Sequence, residues 1–323
     1  MSSHSAKFWI GAAAVVALAL VVALSRAANE YFFFAAFVVL QFVVLATAWN
    51  ILGGYAGYVN FGTAAFFALG AYTAVAVIKA TGGPLALQIV AAAAVSGLLG
   101  LGTGLLTLRL RGIFFSIATV AIIFIGETLI INWRYVGGAT GIQLLRPPLT
   151  WPFESHTRML FVVMAVIAVV AVGIARYIET SWIGRGLQAI RDTEEAAECS
   201  GVPTLKLKLF ACTVSGALMG AAGAPLPMYL GFLEPTSSFS LNYSVAALAG
   251  AIIGGTSHWL GPVIGAILLA SVQQIVTVTI SSEINVLVVG VLLVVFVVAA
   301  PDGILGLLRK LRSKPRPAKA GVA

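Results

Sequence analysis

Ten apolar stretches of 17 to 24 residues, separated mostly by short connections, run through this 323-residue chain. Each is close to the ~20 residues that a helix needs to cross ~30 Å of hydrocarbon. In lipid a spanning segment must satisfy its own backbone hydrogen bonds, and a helix does so. The predicted spans are 8–25, 31–52, 58–78, 85–108, 113–132, 159–178, 209–231, 239–257, 260–282 and 284–300. Charged residues make up 9% of the chain, against roughly a quarter in soluble domains, which leaves too few to coat a soluble body of this size. The expected fold is an all-α integral membrane protein of about ten transmembrane helices. It forms a single domain over 1–308, with a basic cytoplasmic tail over 309–323.

The basic residues set the orientation. With loops assigned alternately to two sides, Lys7, Arg109, Arg111, Arg176, Arg185, Arg191, Lys206, Lys208 and the tail residues Arg309, Lys310, Arg312, Lys314, Arg316 and Lys319 share one side. That is fourteen of nineteen, so the positive-inside rule places both termini in the cytoplasm. The net charge of +8 therefore reads as membrane sidedness and a tail against anionic headgroups, not as a nucleic-acid surface. The first span exceeds the 7–15 apolar residues of a signal peptide and is read as an uncleaved helix. Spans two to five begin outside and spans seven to ten begin inside, with span six between them. Two inverted four-helix units of this kind are a common way to build a path that opens to either side.

Polar and small residues inside the spans are the candidates for a path. Gly57, Gly62 and Gly70 surround Asn60 and Thr63 in one glycine-rich segment. A second set comprises Gly216 and Gly220, then Gly254, Gly255, Gly261, Pro262 and Gly265. Small residues let helices approach closely, and glycine also permits a broken helix whose backbone lines a cavity, so both readings stand. Glu127 is the one acidic residue well inside a span, where a carboxyl is costly enough to suggest a cavity or a partner. Arg134, seven residues on, lies on roughly the same face and is a candidate partner through water. Cys199, Cys212 and the three histidines fit no metal or redox spacing, and the histidines are read as solvated.

The cytoplasmic connection 179–208 carries the most local information. Ile183, Leu187 and Ile190 fall on one helical face, with Arg185, Gln188 and Arg191 away from it. Asp192 and Glu195 then read as a capping box opening a second helix, which Gly201 and Pro203 stop. This predicts a helix-turn-helix lying on the cytoplasmic face. It would be a surface through which another protein could push, or a solvated loop resting on headgroups.

Motifs in order along the chain resemble the permease family of branched-chain amino acid ATP-binding-cassette importers, in its longer type. They are Gly57, Asn60, Gly62, Ala65–Phe67 and Gly70–Tyr72; Arg111–Ser116; Gly184, Arg185, Ala189–Asp192, Glu194, Ala197 and Gly201; Gly254, Gly255, Gly261, Pro262, Gly265 and Ala266; and Pro301–Ile304. The resemblance implies a permease without catalysis of its own. Its partners would be a sister permease subunit, ATPase subunits holding ATP and magnesium, and an external solute-binding protein, in a bacterial inner membrane. It also implies that Gly184, Arg185, Ala189, Ile190, Arg191, Asp192, Glu194, Ala197 and Gly201 couple to the ATPase. The chain contains no Gly-Lys dipeptide, hence no phosphate-cradling loop, so no cofactor is expected on it. Thr63 and Tyr58 stand where many family members carry histidine and glutamine, which bears on cargo. Urea or amides, aromatic acids and sugars remain alternatives to amino acids. A self-sufficient secondary transporter or channel is the alternative from another class.

Overall fold

Each apolar run winds into a helix wherever nothing interrupts its backbone ladder. The interruptions decide the architecture. The computed structural model describes residues 3–25, 29–110, 112–144, 153–279, 284–300 and 303–312. Its helices are α1 (Ser3–Leu24), α2 (Glu30–Leu52), α3 (Thr63–Thr81), α4 (Leu85–Thr107), α5 (Ile113–Asn132), α6 (His156–Thr180), α7 (Trp182–Asp192), α8 (Glu194–Cys199), α9 (Thr204–Gly223), α10 (Leu226–Leu230), α11 (Pro235–Ser238), α12 (Leu241–Gly254), α13 (Leu260–Thr279), α14 (Ile284–Ala299) and α15 (Gly303–Arg312). Among the described residues eight helical segments are long and apolar enough to cross a membrane. The shorter apolar helices Phe8–Leu24 and Leu287–Phe296 stand at the first and last expected spans.

Several boundaries differ from the sequence expectation, each for a local reason. The third span is expected from residue 58, yet α3 starts at Thr63. The intervening backbone is bonded by neighbours instead of by a helix ladder. Trp49 Nε1 donates to Asn60 O at 2.7 Å, Ser116 Oγ to Val59 O at 2.9 Å, and the Phe61 amide to Thr119 Oγ1 at 3.1 Å. A non-helical stretch inside lipid needs such partners. The seventh span begins early, at Thr204, and draws Lys206 and Lys208 out of the connection into α9. It breaks before Pro225, which lacks an amide hydrogen. The eighth is divided into α11 and α12. α15 runs to Arg312, four residues into the segment expected as tail. Residues 313–323, and the motif residues Arg111, Pro301 and Asp302, lie outside the described residues.

Packing places α2 at the centre. It touches α6, α9, α12 and α13, while α4 lies along α9 and α12 along α13. The two predicted quartets are therefore interleaved: a helix of the first is enclosed by helices of the second. Glycines permit the closest crossings. A Cβ on Gly70 would run into the carbonyl of Gly220, and one on Gly223 into that of Phe67. Gly216 has room for no more, since a Cβ there would lie 2.8 Å from Ser96 O. At the α12–α13 crossing a Cβ on Gly254 would meet the Gly261 carbonyl and one on Gly265 the Gly250 carbonyl. Pro262 is buried beside them on the first turn of α13. At the end of the bundle away from α7 and α8, the strands β1 (Ile142–Gln143) and β2 (Phe232–Leu233) pair antiparallel, Ile142 opposite Leu233.

Candidate functional site

The 181–201 connection folds back under the bundle as the two helices expected there. Leu187 and Ile190 of α7 are buried together with Gly184, whereas Trp182, Arg185, Gln188 and Asp192 face outward. Gly184 sits where a Cβ would run into the Ile178 carbonyl, so α7 can turn tightly from α6. Ala189 packs at the edge of the core and Ala197 is buried on α8. Gly201, at φ 81°, leads the chain round to α9. The capping residue differs by one from expectation. α7 stays helical through Asp192, so the extended Thr193 becomes the N-cap of α8, and its hydroxyl donates to the Asp192 carbonyl at 2.7 Å.

What these helices grip is the broken stretch between α2 and α3. Arg191 Nη1 donates to the Gly54 carbonyl at 2.7 Å. Gly57, at φ 77°, lies so close to the same side chain that a Cβ would come within 3.1 Å of Arg191 Cγ. Glu194 holds the other side: its Oε2 accepts the Tyr58 hydroxyl at 2.6 Å and its Oε1 accepts from Lys208 Nζ at 2.6 Å. Lys208 Nζ also donates to Tyr58 Oη at 3.2 Å and to the Leu108 carbonyl at 3.4 Å. A buried charge pair is tolerated only when its remaining hydrogen-bonding capacity is met, and Tyr58 meets it here. Tyr58, Glu194 and Arg191 share the wall of a cleft of about 650 Å³ with Ser116 at the start of α5.

A second tie holds the same stretch from the other side. Glu179, near the end of α6, accepts the Trp259 amide at 2.6 Å and the Tyr55 hydroxyl at 3.3 Å. Burial, and next the Glu179 carboxylate, push the Tyr55 phenol well above its ordinary range and keep it a donor. His258, read from sequence as a solvated residue, instead accepts the Leu260 amide through Nδ1 at 3.2 Å at the head of α13, with Nε2 at 3.9 Å from Glu179 Oε1. α7 and α8, the broken segment and the α12–α13 turn are thus joined through two carboxylates. Sequence reasoning missed Lys208, Glu179 and His258. The one available signal was Lys208, a charge at the edge of an apolar run with Lys206 two residues before it.

The residues expected on a path are placed as follows. Asn60 is 2% exposed, its Oδ1 accepting the Gly62 amide at 2.7 Å, and a Cβ on Gly62 would crowd that oxygen. Thr63, at the start of α3, is 0% exposed, and its hydroxyl has no hydrogen-bond partner among the described residues. Asn60 belongs to the gripped stretch, and Thr63 opens the helix that follows it. Glu127 is partly exposed on α5, far along the chain from that cluster, and forms no ion pair with the exposed Arg134. Gly255 ends α12 and takes the close approach of Gly303. Among the described residues no group of three or more metal-ligating side chains gathers anywhere.

Residues 31–297 match the family described as branched-chain amino acid transport system / permease component. The high-affinity branched-chain amino acid transport system permease protein LivM of Salmonella typhimurium is 26% identical, the match covering 98% of this chain and 79% of that one. A probable branched-chain amino acid transport permease protein, LivH of Methanocaldococcus jannaschii, is 25% identical over 76% of this chain and 82% of its own. A solved ABC transporter in an inward-facing conformation shares 15% identity at a TM-score of 0.43, covering 94% of this chain and 98% of that one. The match with LivM, the longer type, covers nearly all of this chain, and the apolar helices make the chain a multi-pass membrane protein, in bacteria of the inner membrane. The chain belongs to the family of permease components of branched-chain amino acid transport systems.

Proposed function

We propose that this permease is the membrane subunit of an ATP-driven importer of branched-chain and related neutral amino acids. It works with a sister permease, with ATPase subunits that hold ATP and magnesium, and with an external solute-binding protein. Both termini and the α7–α8 element face the cytoplasm. The observation that supports the reading is the double grip on the broken stretch: Arg191 on the Gly54 carbonyl, and Glu194 on Tyr58 and Lys208. A push on α7 and α8 reaches Asn60 and Thr63 through that stretch, because α7 holds its backbone at Gly54 and α8 holds the Tyr58 side chain. The outward face of α7 receives the ATPase. The opposite end, with β1 and β2, receives the binding protein. Glu127 on the open face of α5 lines the path where the sister permease meets this chain. Tyr58, being held by the coupling helices, acts in transmission and not in contact with solute.

Two substitutions separate docking from transmission. Arg185 is exposed and its side chain makes no hydrogen bond or ion pair to the described residues, so Arg185→Glu is expected to lower the amount of ATPase that copurifies. Arg191→Ala removes a charge-assisted hydrogen bond worth about 1.5–3 kcal/mol. It is expected to leave the ATPase bound while uptake per ATP hydrolysed falls about tenfold or more. Uptake and hydrolysis are measured together in proteoliposomes containing the whole complex. Normal coupled uptake in Arg191→Ala would remove α7 from the transmission route.

A further inference from the structure

The motif that ends at Ile304 opens α15, a ten-residue helix that the transmission route described above does not use. Its start is fixed to the bundle. Gly303, buried at φ 71°, sits where a Cβ would run into the backbone of Gly255, and its amide donates to the Ala300 carbonyl at 2.8 Å. The chain thus leaves α14 in a tight turn against the α12–α13 crossing. Ile304 packs on the cluster of Ala249, Ile253, Leu269 and Val289. One turn further the cover has ended, and Leu307 is 41% exposed.

By helical register Ile304, Leu307, Leu308 and Leu311 fall on one face, at i, i+3, i+4 and i+7. Arg309 and Lys310 fall on the opposite face, with Arg312 at the border. We infer that α15 is a membrane-surface helix whose partner is the anionic phospholipid headgroups of the leaflet where α14 ends, the cytoplasmic one in the orientation proposed above. A helix with leucines on one side and basic residues on the other lies in the headgroup plane, its apolar face toward the acyl chains. Position favours lipid over a soluble partner, because that apolar face begins at the end of the apolar helix α14. Charge then selects the lipid. Residues 304–323 hold six basic residues and no acidic one, and each basic group near an anionic leaflet strengthens attachment about fivefold.

Gly303 carries the effect inward. No side chain separates it from Gly254 and Gly255, so a displacement of α15 moves the α12–α13 turn, whose Trp259 amide is held by Glu179 at 2.6 Å just before α7. Headgroups gripping α15 therefore brace the turn to which the end of α6 is tied.

The test uses the assembled complex in nanodiscs of phosphatidylcholine alone or of equal parts phosphatidylcholine and phosphatidylglycerol. A fluorophore is attached at Leu307→Cys in a Cys199→Ser background, since Cys199 is exposed and Cys212 buried, and its quenching by a lipid spin-labelled in the headgroup region is read. Quenching is expected in mixed discs. It should be lost in phosphatidylcholine discs, in Arg309→Gln/Lys310→Gln/Arg312→Gln, and in about 1 M salt, where the Debye length is about 3 Å. The triple variant should keep its ATPase subunits, and its ATP hydrolysis should no longer depend on phosphatidylglycerol as that of the wild type does. Equal quenching in both lipids and in the variant would leave the basic residues without a role and overturn the lipid assignment. So would absence of quenching in every disc, or loss of the ATPase from the variant, which would make α15 a protein-docking helix. Equal lipid dependence of hydrolysis in wild type and variant would overturn the link through Gly303.

Discussion

Lys208→Met is expected to destabilise the permease by about 3–5 kcal/mol, the usual consequence of leaving one buried charge of an ion pair alone. The Lys208 side chain is 5% exposed and that of Glu194 13% exposed, with 2.6 Å between Nζ and Oε1. Methionine matches the length and apolar stem of lysine but offers nothing to the carboxylate. Water cannot easily replace the ammonium, since Tyr58 packs over the same space with its ring 5.1 Å from Nζ. The loss should be specific to the charge. Glu194→Gln alone strands the lysine, whereas Lys208→Met combined with Glu194→Gln leaves no unpaired charge and should recover much of the stability. Thermal unfolding of the four proteins in detergent closes this double-mutant cycle. Additive losses, with no recovery in the double variant, would show that the pair does not act as one unit.

Gly70→Val should abolish the folded protein more completely than any surface change. At Gly70 the new Cβ would run into the Gly220 carbonyl, and backbone cannot swing aside as a side chain can. α3 and α9 would have to part. Gly220 is in turn pressed against Ser96 of α4, whose hydroxyl donates to the Phe66 carbonyl at 3.0 Å. One separation therefore opens three helices. Overpacking costs about 1–3 kcal/mol in adaptable cores, and this rigid crossing falls at or above the upper limit. The yield of monodisperse protein from fluorescence-detected size exclusion measures the effect. Gly102→Ala, on the open side of α4 with nothing within 4 Å of the added atom, is the matched control and should behave as wild type. Equal yields for Gly70→Val and Gly102→Ala would sink the argument.

How much of this was legible in the chain differs from element to element. The amphipathic spacing of Leu187 and Ile190 suffices to predict α7 and its buried edge, because a short helix on a surface is governed by its own periodicity. The same reasoning carried the third span back to residue 58, since apolar content registers hydrophobicity and not whether the backbone ladder is intact. The break is maintained by Trp49, Ser116 and Thr119, which belong to other helices. Lys208 counts as a loop charge in any sidedness argument, and only the meeting of α9 with α8 and Tyr58 makes it a buried ion pair.

The sequence by itself determined that the chain is a set of membrane-length helices with its positive charge gathered to one side, because hydrocarbon thickness and charge desolvation act on each segment separately. Tertiary structure alone decided which glycines touch, where Glu194 and Lys208 find each other, and that Arg191 meets the Gly54 carbonyl. Those outcomes depend on contacts between residues as far apart as Gly70 and Gly220, and no local pattern encodes which helix will lie against which.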